Sequence, residues 1–422
     1  MILPFKQELG ERIMYFFLLA FAFLLPSQWV AIPITMAAIL FALIGLISKG
    51  WKDRWIGIIT NKRFGWMALY YAWVGMAILY SPDSHEGERE WVVQIFLVLW
   101  PLGLAAYPPM SKTKLWGILR TFILGTLVSC MACLWMSYID YGMSGDSSVF
   151  FYSKLAHWEM VPMHYQAMMV SFAFLVWIVD LIENKHALWV KILSVFGIVF
   201  LIVFMGLLSI RIQFIALPIA FSAYFLVKWS WQRALAVFGG IVAVLALMIA
   251  TMEGPRKRAV ETMDEIASIE KVVNKKQTNH RVFIWKYGWE VISENPWLGT
   301  GTGSTQATLG PKFKESTAVF WHGYKPYKLD EFAYNYHNQF LQSWGNQGLL
   351  GLVLLLGIFV GSAFSFWKKK DALSMAFISL VFFSFMTESM LLRQAGVLFM
   401  SFFIAVLWVN RSSYGKDPSK EH

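Results

Sequence analysis

Helix-length runs of apolar residues recur along this chain, and nothing else constrains its fold as strongly. A transmembrane helix needs about 20 mainly apolar residues, within about 17–25. Twelve stretches of the 422-residue sequence approach that length: 12–26, 29–47, 64–80, 91–107, 115–138, 161–181, 188–208, 212–228, 234–252, 346–367, 372–387 and 392–410. Only 15% of the residues are charged and 57% are hydrophobic, too few charges to coat a water-soluble surface of this size. A soluble multidomain enzyme, a disordered scaffold and a coiled coil are excluded. The runs are continuous rather than alternating, which argues against a β-barrel. The expectation is an all-α, polytopic integral membrane protein with about 12 transmembrane helices. Its first run, from Ile13, ends at Pro26-Ser27 without a small-residue cleavage pattern and is read as a retained span.

Loop charge orients these spans. Cytoplasmic connections carry an excess of Lys and Arg. The connections after the even-numbered spans are basic, with Lys49, Lys52, Arg54, Lys62 and Arg63 in one, then Lys112 with Lys114, Lys185 with Lys191, Lys228 with Arg233, and Lys368 to Lys370. The tail adds Arg411, Lys416 and Lys420, whereas SPDSHEGERE on the alternate side sets one Arg against Asp83, Glu86, Glu88 and Glu90. Both termini are therefore expected in the cytoplasm. The net charge of +10 follows from this retention pattern and from attraction to membrane lipids, so it calls for no nucleic acid partner.

Three regions follow: a first membrane domain at 1–252, a large outer loop at 253–345, and the last spans with the tail at 346–422. Within the loop, RKRAVETMDEIASIEKVVNKK reads as an amphipathic helix and HRVFIWKYGWEVISENPW as a second helix stopped by Asn295-Pro296. LGTGTGS is a glycine turn, followed by an aromatic-rich coil to about Tyr334, and a further helix begins near His337. A loop of this length with helices of its own is expected to be functional.

Ionisable groups close to the outer ends of the spans are the functional candidates. Arg211 sits between two apolar runs joined by almost no loop, so it is either a fixed cation of a site or an arginine reaching for head groups. Arg281 opens the second loop helix with Trp285 and Gly288 on the same face, and the alternative is an exposed helix arginine. Two such guanidinium groups suit a lipid-linked phosphate or diphosphate. His337 is the side chain best able to take a proton near neutral pH, unless it merely packs. Glu388 is the carboxylate of the last outer connection and either serves the site or pairs with Arg393. His164 and Gln166 either line a cavity or cap the sixth span, while His157, His322, Asp330 and Glu331 read as loop residues. The glycines of GTGTGS lack the strand and lysine of a phosphate loop and read as a turn. Cys130 and Cys133 lie in an apolar stretch and read as small hydrophobes. No metal motif is present, and no cofactor is called for.

Together these segments resemble the O-antigen ligase family. Its signature, His followed by Asn, Ser or Gln, nine residues, Gly, two residues, then Gly, Thr or Tyr, is met by His337-Asn338, Gly348 and Gly351. The family's two arginines are matched by Arg211 and by Arg281, the latter leading to Pro296-Trp297-Leu298-Gly299-Thr300-Gly301. Its late acidic residue is matched by Glu388, while Ile210 and Ile212 flank Arg211 where many relatives have Gly or Ser.

The resemblance implies a GT-C-like glycosyltransferase of the bacterial inner membrane with a periplasmic active site. It moves an O-antigen glycan from undecaprenyl diphosphate to a sugar hydroxyl of lipid A–core, completing lipopolysaccharide. Metal-independent, inverting transfer is implied, with His337 as base, Arg211 and Arg281 on the diphosphate, and Asn338, Glu388 and His164 in support. An O-antigen polymerase, a protein O-oligosaccharyltransferase and a non-enzymatic lipid-linked glycan transporter are the alternatives; the last usually shows internal repeats, and none is evident.

Overall fold

The computed structural model describes residues 2–27, 39–40, 62–105, 110–156, 161–251, 256, 260, 280–315, 320–322, 325–328 and 334–409. The second apolar stretch at 29–47 apart from 39–40, His157, Asp330, Glu331 and the basic tail lie outside the described residues, as does nearly all of the amphipathic loop helix.

Helices stand at the other apolar stretches. The N-terminal half contains α1 (Ile2–Leu24), α2 (Lys62–Met76), α3 (Ser84–Val93), α4 (Phe96–Ala105) and α5 (Lys112–Ser144). It continues through α6 (Met163–Glu183), α7 (Leu188–Leu208), α8 (Arg211–Lys228) and α9 (Trp231–Thr251). The outer loop contributes α10 (His280–Glu294), α11 (Thr305–Glu315) and a hairpin of β1 (Phe320–His322) and β2 (Lys325–Tyr327). The chain then runs through α12 (Gln339–Lys368), α13 (Ala372–Phe385) and α14 (Gln394–Val409). Among the described residues α5, α6, α7, α8 and α12 are long and apolar enough to cross a membrane. The exposed face of α7 is made of Leu188, Trp189, Ile192, Leu193, Phe196 and Val199, a surface fitted to lipid and costly in water. These features fit a polytopic membrane protein.

Three sequence expectations need correction. The fourth apolar stretch is two helices, α3 and α4, separated at Gln94-Ile95, and α3 begins well upstream within the acidic connection. Asp83 nucleates α3 by accepting the amide of Glu86, so the acidic cluster that reads as a loop is a capped helix. The aromatic-rich coil after the glycine turn contains α11 and the β1–β2 hairpin, with His322 in a strand. Gly310-Pro311 inside α11 hid it, since both residues ordinarily end helices. The described residues are thus helical apart from one small hairpin.

The bundle centres on an aromatic cluster that ties four helices. Phe172 of α6 meets Phe377 of α13 and Phe403 of α14 edge-on, each with centroids 4.8 Å apart, and touches Phe122 of α5 at 5.7 Å. The loop has a separate small core in which Ile284, Val291 and Ile292 of α10 pack with Leu309 and Phe313 of α11 and with Tyr336. This second core holds the segment that enters α12.

Candidate active site

Tyr336 anchors that segment. Its side chain is fully buried, its carbonyl accepts the Trp285 indole N–H at 2.8 Å, and its amide donates to Gln342 Oε1 at 3.2 Å. The ring lies between Gly288 and Gly345, where an added Cβ would come within 2.7 Å and 2.3 Å of Tyr336 atoms. The Trp285 and Gly288 face of α10 therefore grips the residue immediately before His337.

His337 turns the chain into α12. Its φ of +45° lies in the left-handed region, an arrangement costing about 1–2 kcal/mol for a residue with a Cβ. Asn335 Oδ1 accepts the His337 amide at 2.7 Å, and Asn338 Oδ1 caps α12 by accepting the amides of Phe340 and Leu341. Asn338 thus serves the helix start that aims the imidazole.

The facing connection, between α13 and α14, is tied to the polar stripe of α12. Gln339 Oε1 accepts the Leu391 amide at 2.7 Å, and Ser389 Oγ donates to Gln342 Oε1 at 3.3 Å. Those bonds set Glu388 opposite His337, with Nδ1 and Oε2 3.1 Å apart. His164, in the first turn of α6, brings Nε2 to 3.8 Å from the same carboxylate oxygen. Arg281, in the first turn of α10, donates toward His164 Nε2 at 3.4 Å. Four residues from four separate stretches of chain so converge, and no ion pair links Glu388 to Arg393 among the described residues.

Burial acts to raise the Glu388 carboxyl. The His337 bond and the positive charge of His337, His164 and Arg281 outweigh it and hold the group at about 2. An ionised carboxylate under one imidazole edge fixes that ring's orientation.

Arg211 is the first residue of α8 and belongs to the same end of the bundle. Gln213, two residues on, donates to Ser384 at 3.0 Å, which sets the start of α8 beside the end of α13 that leads to Glu388. Ser209 and Ile210 are all that separates α7 from α8, as the near-absence of a loop in sequence implies. Gln166, by contrast, turns into the bundle and donates to Cys133.

The glycine turn is structural. Gly299, Thr300, Gly301 and Thr302 donate their amides to the carbonyls of Asn295, Gly345, Asn346 and Ala77, which leaves those amides committed. Gly299 and Gly348 meet backbone to backbone: a Cβ on Gly348 would come within 2.1 Å of the Trp297 carbonyl oxygen. Gly348 has φ +71° and interrupts the helical geometry of α12. The signature glycine therefore makes room for the turn that leads from α10.

Two elements of this region escape the reading of single residues. Gln339, Gln342, Ser343 and Asn346 are buried along one face of α12; their helical spacing in an apolar segment is a signal the sequence does contain. Glu90 of α3 is 4% exposed behind the glycine turn, receives the Gly303 amide, and is pushed up to about 8 mainly by burial.

A family model described as O-antigen ligase matches residues 196–356. No curated protein matches the chain. The matched stretch contains Arg211, Arg281, His337, Asn338 and Gly348, and leaves His164 and Glu388 on either side of it.

Proposed function

We propose, from the match of segment 196–356 to the O-antigen ligase family model, that the chain is a glycosyltransferase of lipopolysaccharide assembly. It moves an O-antigen glycan from undecaprenyl diphosphate to a sugar hydroxyl of lipid A–core. The observation carrying this reading is the convergence of His337, Glu388, His164 and Arg281 at one end of the bundle.

Orientation follows from charge. Lys112, Lys228 and Lys368 to Lys370 stand at the ends of α5, α8 and α12 opposite to that cluster. Basic ends face the cytoplasm, so the cluster faces the periplasm of the bacterial inner membrane, and both termini are cytoplasmic. A GT-C-like arrangement of about twelve spans, with membrane regions at 1–252 and 346–422 around a loop at 253–345, accommodates this topology.

Arg281 and Arg211 bind the donor diphosphate, guanidinium forks matching its oxygens where charge grows in the transition state. With Nδ1 held by Glu388, His337 receives the acceptor proton at Nε2. The acceptor oxygen bonds to the anomeric carbon from the face opposite the diphosphate. The glycosidic carbon–oxygen bond breaks, its electron pair leaves with the diphosphate, and the anomeric configuration inverts. Glu388 stabilises the imidazolium so formed, and His164 bridges that carboxylate to Arg281. Two arginines supply the charge that a divalent ion supplies elsewhere, so the reaction runs without metal.

The test is transfer by the purified protein from lipid-linked glycan in the presence and absence of lipid A–core. Product that forms only with lipid A–core supports the ligase. Longer lipid-linked glycan without it identifies a polymerase, and movement without covalent transfer a transporter. Activity abolished by EDTA and restored by a divalent ion refutes the metal-free step.

A further inference from the structure

A cavity lies at the end of the bundle remote from His337. It measures about 80 Å³, several times the space one water molecule needs. Four lysines line it: Lys112 from the start of α5, Lys228 from the end of α8, and Lys369 with Lys370 from the α12–α13 connection. Glu183 and Asp371 are its two carboxylates. Glu183 is engaged by Lys228 at 3.0 Å, Lys112 at 3.5 Å and the Tyr224 hydroxyl at 2.9 Å. Asp371 caps α13 by accepting the amide and hydroxyl of Ser374. The lining thus carries four lysines and two carboxylates.

The remaining wall is apolar, formed by Leu115, Trp116, Leu373 and Leu407. An apolar wall beneath a lysine rim, at the point where helices leave the bilayer, matches a lipid phosphate with its glycerol and upper acyl segment. A free anion has no use for the apolar part.

The backbone adds an independent sign. The Lys370 amide bonds the Trp367 carbonyl and the Asp371 amide bonds the Phe366 carbonyl, the paired bonds that close a helix through a left-handed residue. Glycine is the ordinary occupant of that position. Here it is Lys370, with φ +51°, and the lysine is exposed at the cavity rim.

We propose that this cavity binds the headgroup phosphate of an anionic phospholipid. The site is separate from the glycan-transfer chemistry and does not depend on it.

The experiment uses the full chain, delipidated in detergent and offered phosphatidylglycerol, phosphatidylcholine or inorganic phosphate, with retained lipid read by native mass spectrometry. One phosphatidylglycerol per chain is expected to survive conditions that strip phosphatidylcholine. Lys369→Gln combined with Lys370→Gly is expected to weaken retention at least about tenfold, at roughly 1 kcal/mol per surface lysine. Lys370→Gly places the favoured residue in the left-handed position, so the fold survives the test. Lys369→Arg, which keeps the charge, is expected to retain the lipid. Equal retention of phosphatidylcholine, unchanged retention in the double variant, or complete displacement of the lipid by inorganic phosphate would overturn the proposal.

Discussion

His337 Nδ1 and Glu388 Oε2 stand 3.1 Å apart although 51 positions separate them in sequence. One residue enters α12 through a left-handed backbone turn, and the other sits in a connection pinned to α12 by Gln339 and Gln342. A carboxylate so placed selects the imidazole tautomer and steadies the cation formed when the ring takes a proton. Glu388→Gln is expected to lower kcat about 10–100-fold, with a smaller effect on KM for the lipid-linked donor. His337→Ala should cost about 10²–10⁴-fold. Initial rates of glycan transfer check both, and a Glu388→Gln enzyme of unchanged kcat contradicts the dyad.

The same carboxylate has a pH signature in stability. Its folded value of about 2 lies below the ordinary 4.5, so its contribution is complete above the ordinary value and disappears as pH falls through about 2. Between those limits the protein should lose melting temperature faster than Glu388→Gln does. Thermal unfolding of both proteins in detergent from pH 6 downward supplies the comparison; parallel curves would rule the coupling out.

Arg281 should tolerate no cationic substitute. Lysine keeps the charge but replaces a planar fork with a point charge, and it loses the geometry toward His164 and a bound diphosphate together. A charged hydrogen bond contributes about 1.5–3 kcal/mol, so kcat/KM for the donor should drop roughly 10–100-fold in Arg281→Lys. Because charge on the diphosphate grows as the glycosidic bond breaks, the loss should appear in kcat as well as in KM. Wild-type kinetics in this variant would place the diphosphate elsewhere.

Gly348 is required by shape as well as by φ. An alanine Cβ would press within 2.1 Å of the Trp297 carbonyl oxygen while occupying a left-handed backbone. Backbone strain alone costs about 1–3 kcal/mol, and the clash must be relieved by moving the 296–299 turn. Gly348→Ala is expected to lower the melting temperature by several degrees and to reduce transfer with His337 intact. Gly310→Ala, with nothing within 4 Å of the added Cβ, is the matched control.

The sequence and the structure agree where one period decides the outcome. The apolar stretch at 188–208 coincides with α7, and Asn295-Pro296 ends α10 as its chemistry dictates. Agreement fails where a distant partner covers single residues of a polar segment. SPDSHEGERE reads as a connection, yet it forms α3, in which Glu90 is buried and Gly87 packs against Thr302, more than 200 positions away. Likewise His337, Glu388, His164 and Arg281 can each be chosen from residue type and place, but their meeting depends on the folds at Tyr336 and Ser389. No local spacing encodes it.

Glu90 ties α3 to the glycine turn and provides a pH test remote from His337. Burial pushes its carboxyl up to about 8; Glu86 and Asp83 add to the shift, while Arg89 and the Gly303 amide oppose it. The folded state therefore holds a neutral acid where the unfolded chain, at 4.5, is ionised. Stability gained from the neutral form is fully present below 4.5 and is lost as pH rises through about 8, beyond which the curve levels. Glutamine has nearly the same shape and no titration. Glu90→Gln should thus match the parent near pH 5, flatten the decline across pH 5 to 8, and exceed the parent in melting temperature near pH 9. Hydrogen exchange at the amides of 299–303 should follow the same order, slower in the variant at alkaline pH. A variant whose stability falls with pH as steeply as the parent would show that Glu90 does not govern the clamp between α3 and the turn.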